Sequence, residues 1–428
     1  MALIDRVTYD EKARTIYLGT KDLRQFPINF KHSEYFNDVW KFILEIINSI
    51  PKGAFAFKFA QIFPEDGWSA VSYENDFSRM GLPNDFYRKT DVNSAYEVIP
   101  TYPNLLYIPK MISDDSFLGA LDFRTKSRAL ALCWKHPKTQ QVILRCSQPR
   151  TGVVGARNPA DELYIKTVGV IIRTMLDVPD SVKTVLICDA RPKANAVGNL
   201  AKGGGWESVD NYPDAVFHFA NIPNIHVVRD SFQNLRDMYT ALLDKSTLKD
   251  SMDSALWIKR YQPIAERLRK VEGRATWFYL LSRILAGAQM IAHFISRDQG
   301  SVVVHCSDGW DRTSQLTSLA QLLLDPYYRT LRGFCTLIQK GRNLTSTCLI
   351  SIEWVAFGHK FAQRYGNGSN RDYRDEERSP IFIQWLDCVF QVMLAWPNEF
   401  EFKINLLNVI VHEVNSFRFG TFYGNCEK

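Results

Sequence analysis

The stretch "VVVHCSDGWDRTSQL" (302–316) joins an apolar run to a helical one through a loop that opens with Cys306 and closes with Arg312. Three valines in a row predict a buried strand. Leucines at 316, 319, 322, 323 and 324 predict a buried helix after it. A strand–loop–helix turn gathers successive backbone N–H groups at one point, and the positive end of the helix dipole adds to them. Gly309 lies inside the loop, where tight turning is needed. The same field lowers the pKa of a thiol at the loop's start. Arg312, permanently charged and forked, can hold two oxygens of one phosphoryl group. A Cys-x5-Arg spacing alone is weak evidence, but this setting makes it a phosphate site.

The chemistry that follows is nucleophilic. The Cys306 thiolate attacks phosphorus, a phosphocysteine forms, and water releases inorganic phosphate. Loop amides and Arg312 stabilise the spread negative charge of the transition state. The leaving alkoxide needs a proton, so a carboxylic acid must stand near. No metal or other cofactor is required. Two carboxylates, Asp308 and Asp311, lie in the loop itself. Their presence in an anion site demands an explanation.

Outward from the loop, short apolar runs alternate with helical patterns. Strands are predicted at "ALALCW" (129–134), "QQVILRC" (140–146), "KTVLICDA" (183–190), "NIHVV" (224–228) and "SVVVHC" (301–306). Helices are predicted at 160–176, 231–243, 274–297 and 313–324. This alternation predicts an α/β domain with a central, mainly parallel sheet flanked by helices. Such sheets bind ligands beyond the carboxyl ends of their strands, where Cys306 falls. The first residues differ: "RVTYD", "TIYLGT" and "QFPINF" predict strands, and "SEYFNDVWKFILEIINSIP" (33–51) predicts one amphipathic helix.

Of the 428 residues, 46% are hydrophobic, enough for a large core, so global disorder is excluded. A net charge of +6 is mild for this length. It argues for no nucleic acid and is compatible with an anionic ligand or an acidic membrane surface. Eight scattered cysteines contain no Cys-x2-Cys pair, which speaks against zinc and predicts reduced, buried thiols in a cytoplasmic protein. The apolar segment 276–295 carries Arg283, Gln289 and His293 and is expected to be a buried helix, not a membrane span.

At the level of extended motifs, "VHCSDGWDRTSQLTSLAQLLLDPYYRTLRGF" resembles the signature loop and following helix of the myotubularins, phosphoinositide 3-phosphatases related to Cys-dependent tyrosine phosphatases. "RCSQP" (145–149), "DARPKANAVGNLAKGGGWE" (189–207), "NIHVVRDS" (224–231), "WVAFGHKFAQR" (354–364), "RSPIFIQWLDCVF" (378–390) and "FGTFYGNCEK" (419–428) resemble further family blocks. "FGHKF" and "GNCEK" are most similar to the subgroup of myotubularin-related proteins six to eight. The resemblance implies a substrate: the 3-phosphate of phosphatidylinositol 3-phosphate or 3,5-bisphosphate. It implies that Asp311 is the acid, and that Ser307, Asp308, Gly309 and Trp310 line the headgroup site. It places Asn199, Lys202, Asn224 and Ile225 on the pocket's other wall, and Lys360 with Arg364 at a second phosphate. It also implies a peripheral location on endosomal or other internal membranes, and dimerisation with other myotubularins.

The resemblance further implies that 1–52 is the last part of a PH-GRAM domain, that 53–428 is the phosphatase domain, and that the family's coiled coil is absent from this chain. "GRNLTSTCLISI" (341–352) has no counterpart in the family pattern. It is expected to be either an inserted loop or a translated short intron, which comparison of genomic with transcript sequence decides. "AWPNEF" (395–400) imitates the acid loop of tyrosine phosphatases, but Asn398 carries no acid, so the segment is expected to be structural. A protein tyrosine phosphatase and an inactive scaffolding fragment are the competing readings. Asp308 and Asp311, and the pair Lys360 and Arg364, favour a phosphorylated polyol over a phenol.

Overall fold

Ser301–His305 is buried along its whole length because it lies in the middle of a sheet. The computed structural model describes residues 4–20, 25–31, 35–48, 73–243, 276–338, 352–366, 375–416, 422 and 424–426. The expected boundary at 52/53 and the segment "GRNLTSTCLIS" (341–351) lie outside the described residues. Three strands come first: β1 (Ile4–Asp10), β2 (Thr15–Thr20) and β3 (Gln25–Asn29). They form an antiparallel sheet, and the helix Phe36–Asn48 joins it through a small core of Ile16, Phe36 and Ile43. A two-stranded ribbon follows, β4 (Tyr87–Thr90) with β5 (Leu106–Pro109).

The central sheet contains β6 (Ala131–Lys135), β7 (Val142–Cys146), β8 (Val185–Asp189), β9 (Ala215–Phe219) and β10 (Ser301–His305). Their order is β6-β7-β10-β8-β9. β7, β10, β8 and β9 run parallel, and β6 is antiparallel to β7. The last of the described strands therefore inserts at the centre, between β7 and β8. Here connections diverge to either side and open a crevice at the carboxyl ends. β7, β8 and β10 are mostly apolar and buried throughout, as strands covered on both faces must be. The edge strand β9 instead alternates between exposed and half-buried residues after a buried Ala215.

One predicted strand is a helix. "NIHVV" opens the helix Ile225–Leu243, and the fifth strand is Ala215–Phe219. Asn224 decides this locally: its side-chain oxygen accepts hydrogen bonds from the amides of His226 and Val227 at 3.1 and 3.2 Å. Such a cap overrides the strand preference of a short β-branched run. The other helices form where expected. Pro159–Leu176 is capped by Asn158, and Trp277–Ser296 by Thr276. The latter is long and apolar enough to cross a membrane, but a stripe through Leu280, Ile284, Gly287, Ala288 and Ile291 is buried in the core. A Cβ on Gly287 would come within 2.8 Å of Leu316, so the small residue lets this helix close on Arg312–Leu324. The seven cysteines among the described residues are free, and five are buried. Residues 395–400 end a helix and form the turn Pro397–Glu399, with Phe400 against Phe402 and Phe402 against Phe334.

Leu316 is fully buried at this helix contact. Leu316→Ala should lower unfolding free energy by about 2–5 kcal/mol. Denaturant titration with an unchanged slope checks it, and a loss below about 1 kcal/mol would contradict the packing described.

Candidate active site

The loop 306–311 starts where β10 ends and finishes where the helix Arg312–Leu324 begins. Gly309 has a φ of +79°, and a Cβ there would collide with the carbonyl oxygen of Cys146 at the end of β7. Only glycine lets the loop turn left-handed this close to a neighbouring strand. The loop's carbonyls are held outward. The Gln148 amide donates to Ser307 O at 3.0 Å. Arg128 and Arg145 donate to Gly309 O at 2.8 and 2.9 Å. His359 Nδ1 donates to Trp310 O at 2.9 Å. In a trans peptide the next N–H points the opposite way. The amides of Asp308, Trp310 and Asp311 are thus turned inward, toward the mouth of the cup. The Gly309 amide lies 3.3 Å from Cys306 Sγ.

Burial alone would raise the Cys306 pKa, but Arg312 and Thr313 at the helix start bring it below the ordinary thiol value. The Thr313 hydroxyl is buried and has no other partner among the described residues. It can therefore serve the sulfur. Arg312 donates to Ile222 O at 3.2 Å and to Ser307 Oγ at 3.3 Å. These contacts aim its guanidinium across the cup from one side. Asn199 Nδ2 donates to the same Ser307 Oγ at 3.4 Å and to Gln148 Oε1 at 3.2 Å. The structure thereby brings Cys306, Ser307, Asp308, Gly309, Trp310, Asp311, Arg312 and Asn199 together. Asn224 and Ile225 stand near, at the start of a helix beyond Ile222, with Asn224 engaged as its cap. Lys202 is exposed on the turn after Lys193–Leu200 and makes no hydrogen bond or ion pair to the loop among the described residues.

The structure places the two aspartates in different surroundings. Asp311 is the acid expected to be protonated as it meets the leaving oxygen, and Arg364 is expected at a second phosphate. In the structure they bind each other: Arg364 donates to Asp311 at 2.8 and 3.2 Å, and His359 Nδ1 lies 3.0 Å from Asp311 Oδ1. Both neighbours of His359 Nδ1 are oxygens, so that nitrogen carries the hydrogen. Burial would raise the Asp311 pKa, yet Arg364 and His359 hold it well below the ordinary carboxylate range. The physical reason is a buried acid with two donors already in place. Asp308 shifts the other way, raised by burial and by the charge of Asp311. Lys360 lies over the Trp310 ring with Nζ 4.7 Å from its centroid.

Sequence reasoning missed Arg128 and Arg145 behind the cup, while His305 reads from the sequence as a thiolate-tuning residue or a buried, hydrogen-bonded histidine. Arg145 donates to Glu353 at 2.7 Å and to Ser314 Oγ at 2.8 Å as well as to Gly309 O. Arg128, besides Gly309 O, also binds Phe357 O at 2.7 Å. His305 lies 3.0 Å from Glu207, which also pairs with Arg124 at 2.6 Å. Burial would lower the His305 pKa, but Glu207 and Asp189 raise it overall. The available signal was polarity out of place: an arginine inside the apolar run "VILRC" can be buried only if paired.

A profile of the myotubularin-like phosphatase domain matches residues 53–428. Over 422 residues the chain is 40% identical to "Myotubularin" of Xenopus tropicalis, covering 97% of this chain and 63% of that protein. It is 37% identical over 415 residues to "Phosphatidylinositol-3,5-bisphosphate 3-phosphatase MTMR2" of Mus musculus, covering 95% of this chain and 58% of that protein. The chain thus spans somewhat less than two thirds of these relatives' length.

Arg312→Ala removes the chief positive charge beside the thiol. Alkylation of Cys306 by iodoacetamide should then require higher pH, because the thiolate forms only above the raised pKa. An unshifted pH–rate curve would remove Arg312 as the cause.

Proposed function

The chain belongs to the myotubularin family, and on that footing we propose that it is a phosphoinositide 3-phosphatase. The observation that carries this reading is the cup itself: a thiol of lowered pKa beneath inward-turned amides, closed by Arg312. Cys306 attacks the 3-phosphorus in line, and Arg312 with the amides of Asp308, Trp310 and Asp311 takes up the charge on the equatorial oxygens. The substrates are phosphatidylinositol 3-phosphate and phosphatidylinositol 3,5-bisphosphate. Ser307, Asp308 and Asn199 face the inositol hydroxyls, which a tyrosine ring lacks, and Lys360 stands over Trp310 to meet a second phosphate.

Asp311 keeps the acid role through an exchange of partners. In the free protein Arg364 holds it ionised. The 3-phosphate in the cup sets fresh negative charge beside Asp311, and a second phosphate, where present, draws Arg364 away; both changes raise its pKa toward the protonated form. Asp308 already has a raised pKa and is the alternative donor. The three-stranded sheet and helix of residues 4–48 fit the last strands and C-terminal helix of a PH-GRAM domain, with the phosphatase domain over 53–428. The protein acts in the cytoplasm at endosomal or other internal membranes, and its family partners are other myotubularins.

Phosphate release from 3-, 4- and 3,5-phosphorylated phosphatidylinositol and from a phosphotyrosine peptide tests the substrate. The 3-phosphorylated lipids should dominate, and Cys306→Ser should be inactive on all. Faster turnover of the peptide than of the lipids would overturn the reading. The pH profile of kcat/KM identifies the acid. Activity falls on the acid side as the thiolate is lost and on the alkaline side as the donor carboxyl ionises. Asp311→Asn should abolish the alkaline limb and lower the rate by about 10²–10⁴-fold. A retained limb that disappears in Asp308→Asn would transfer the role to Asp308.

A further inference from the structure

Beside the cup, the chain leaves the carboxyl end of β7 and makes a closed turn over residues 150–157. The Gly152 amide donates to Gly204 O at 3.0 Å, and the Ala156 amide donates to Thr151 O at 2.7 Å. Gly152 and Gly155 have φ of +54° and +66°, conformations that side chains resist. At the tip stand Val153 and Val154, 79% and 85% exposed, the largest exposures among the described large apolar side chains. Single exposed apolar residues are ordinary. Two adjacent β-branched ones, lifted off the surface between two left-handed glycines, cover nothing in the fold and need another reason.

Location supplies the reason. Gln148, just before the turn, donates its amide to Ser307 O in the catalytic loop, so the turn rises from the rim of the cup. Exposed cations lie on the turn and on the segments hydrogen-bonded to its base. Arg150 opens the turn. Lys126 lies on the short turn Thr125–Ser127, where the Thr125 amide donates to Gln148 O at 3.1 Å. Lys202 immediately precedes the glycines that bind Gly152. Arg157, by contrast, is paired with Glu162 at 2.8 Å. An apolar tip with basic side chains at its base is the chemistry of an interfacial anchor: the tip enters the boundary between headgroups and acyl chains, and the cations meet anionic headgroups.

We propose that the turn 150–157 docks the protein on an anionic bilayer, with Val153 and Val154 inserted, so that the cup meets a headgroup still held in the membrane. The proposal rests on the phosphoinositide reading of the cup for its purpose, but the docking can be measured without it. The full chain carrying Val153→Ser and Val154→Ser is compared with wild type in two assays. Sedimentation with phosphatidylcholine–phosphatidylserine vesicles lacking phosphoinositide should show binding weakened by about ten-fold or more. Hydrolysis of the water-soluble headgroup inositol 1,3-bisphosphate should be unchanged. Val153→Leu with Val154→Leu should bind vesicles at least as tightly as wild type, which separates insertion from a folding defect. Vesicle binding that is absent in wild type, or equal in the serine variant, overturns the docking. Valine-dependent vesicle binding in a wild type that leaves inositol 1,3-bisphosphate intact overturns the substrate reading and leaves the docking standing.

Discussion

The site depends on one constraint: the carbonyl of Gly309 is held away from the cup by two buried guanidinium groups, those of Arg128 and Arg145. A peptide unit has a single orientation to choose, and fixing its oxygen fixes the next N–H. Both arginines are fully buried, so each must be satisfied by its surroundings. Arg145 is paired with Glu353, whose other oxygen accepts from Gln321 at 2.8 Å on the signature helix. Arg128 is held by Thr101 and Phe357 O, and its guanidinium stacks over Tyr102 at 4.4 Å. Removing one member of such a buried pair costs about 3–5 kcal/mol, mostly for the charge left alone. The proposed anion site is thus preorganised by cations that bind the loop's backbone carbonyl.

Behind Cys306 runs a second buried chain: His305 to Glu207, Glu207 to Arg124, Arg124 to Asp161, and Asp161 to the Tyr212 hydroxyl at 2.8 Å. It ties the end of β10 to the helix Pro159–Leu176 and to the segment after the glycine turn. With Asp311, Arg364 and His359 on the opposite side, the loop is clamped between two ionic networks. The sheet's apolar strands supply the mass of the core, while these networks fix the position of its one reactive edge. That division explains why so many charged side chains are buried around a modest cup.

The aspartates illustrate how far residue type can be read without geometry. Asp308 and Asp311 are identical in type and three residues apart, and both belong to the same loop. Their environments separate them: Asp311 faces Arg364 and His359, which arrive from more than forty positions later in the chain, whereas Asp308 is half-buried without a comparable donor. A carboxylate's ionisation is set by what surrounds it, and those surroundings are assembled only by folding. The helix at "NIHVV" makes the same point for secondary structure. Propensity favoured a strand, and a single capping side chain decided for the helix.

Local chemistry made much of this protein legible in its sequence. Three valines, a cysteine, a glycine, an arginine and a leucine-spaced run within one stretch determine a strand, a tight loop and a helix, because each feature acts over a few residues. The parallel order of the apolar strands and the place of Cys306 at a strand end follow from that periodicity. Tertiary structure alone decided which strand lies at the centre, which arginines hold the loop, and which aspartate is paired with a buried arginine. Those outcomes depend on contacts between residues far apart in the chain, where burial turns an ordinary charge into one that must find its partner.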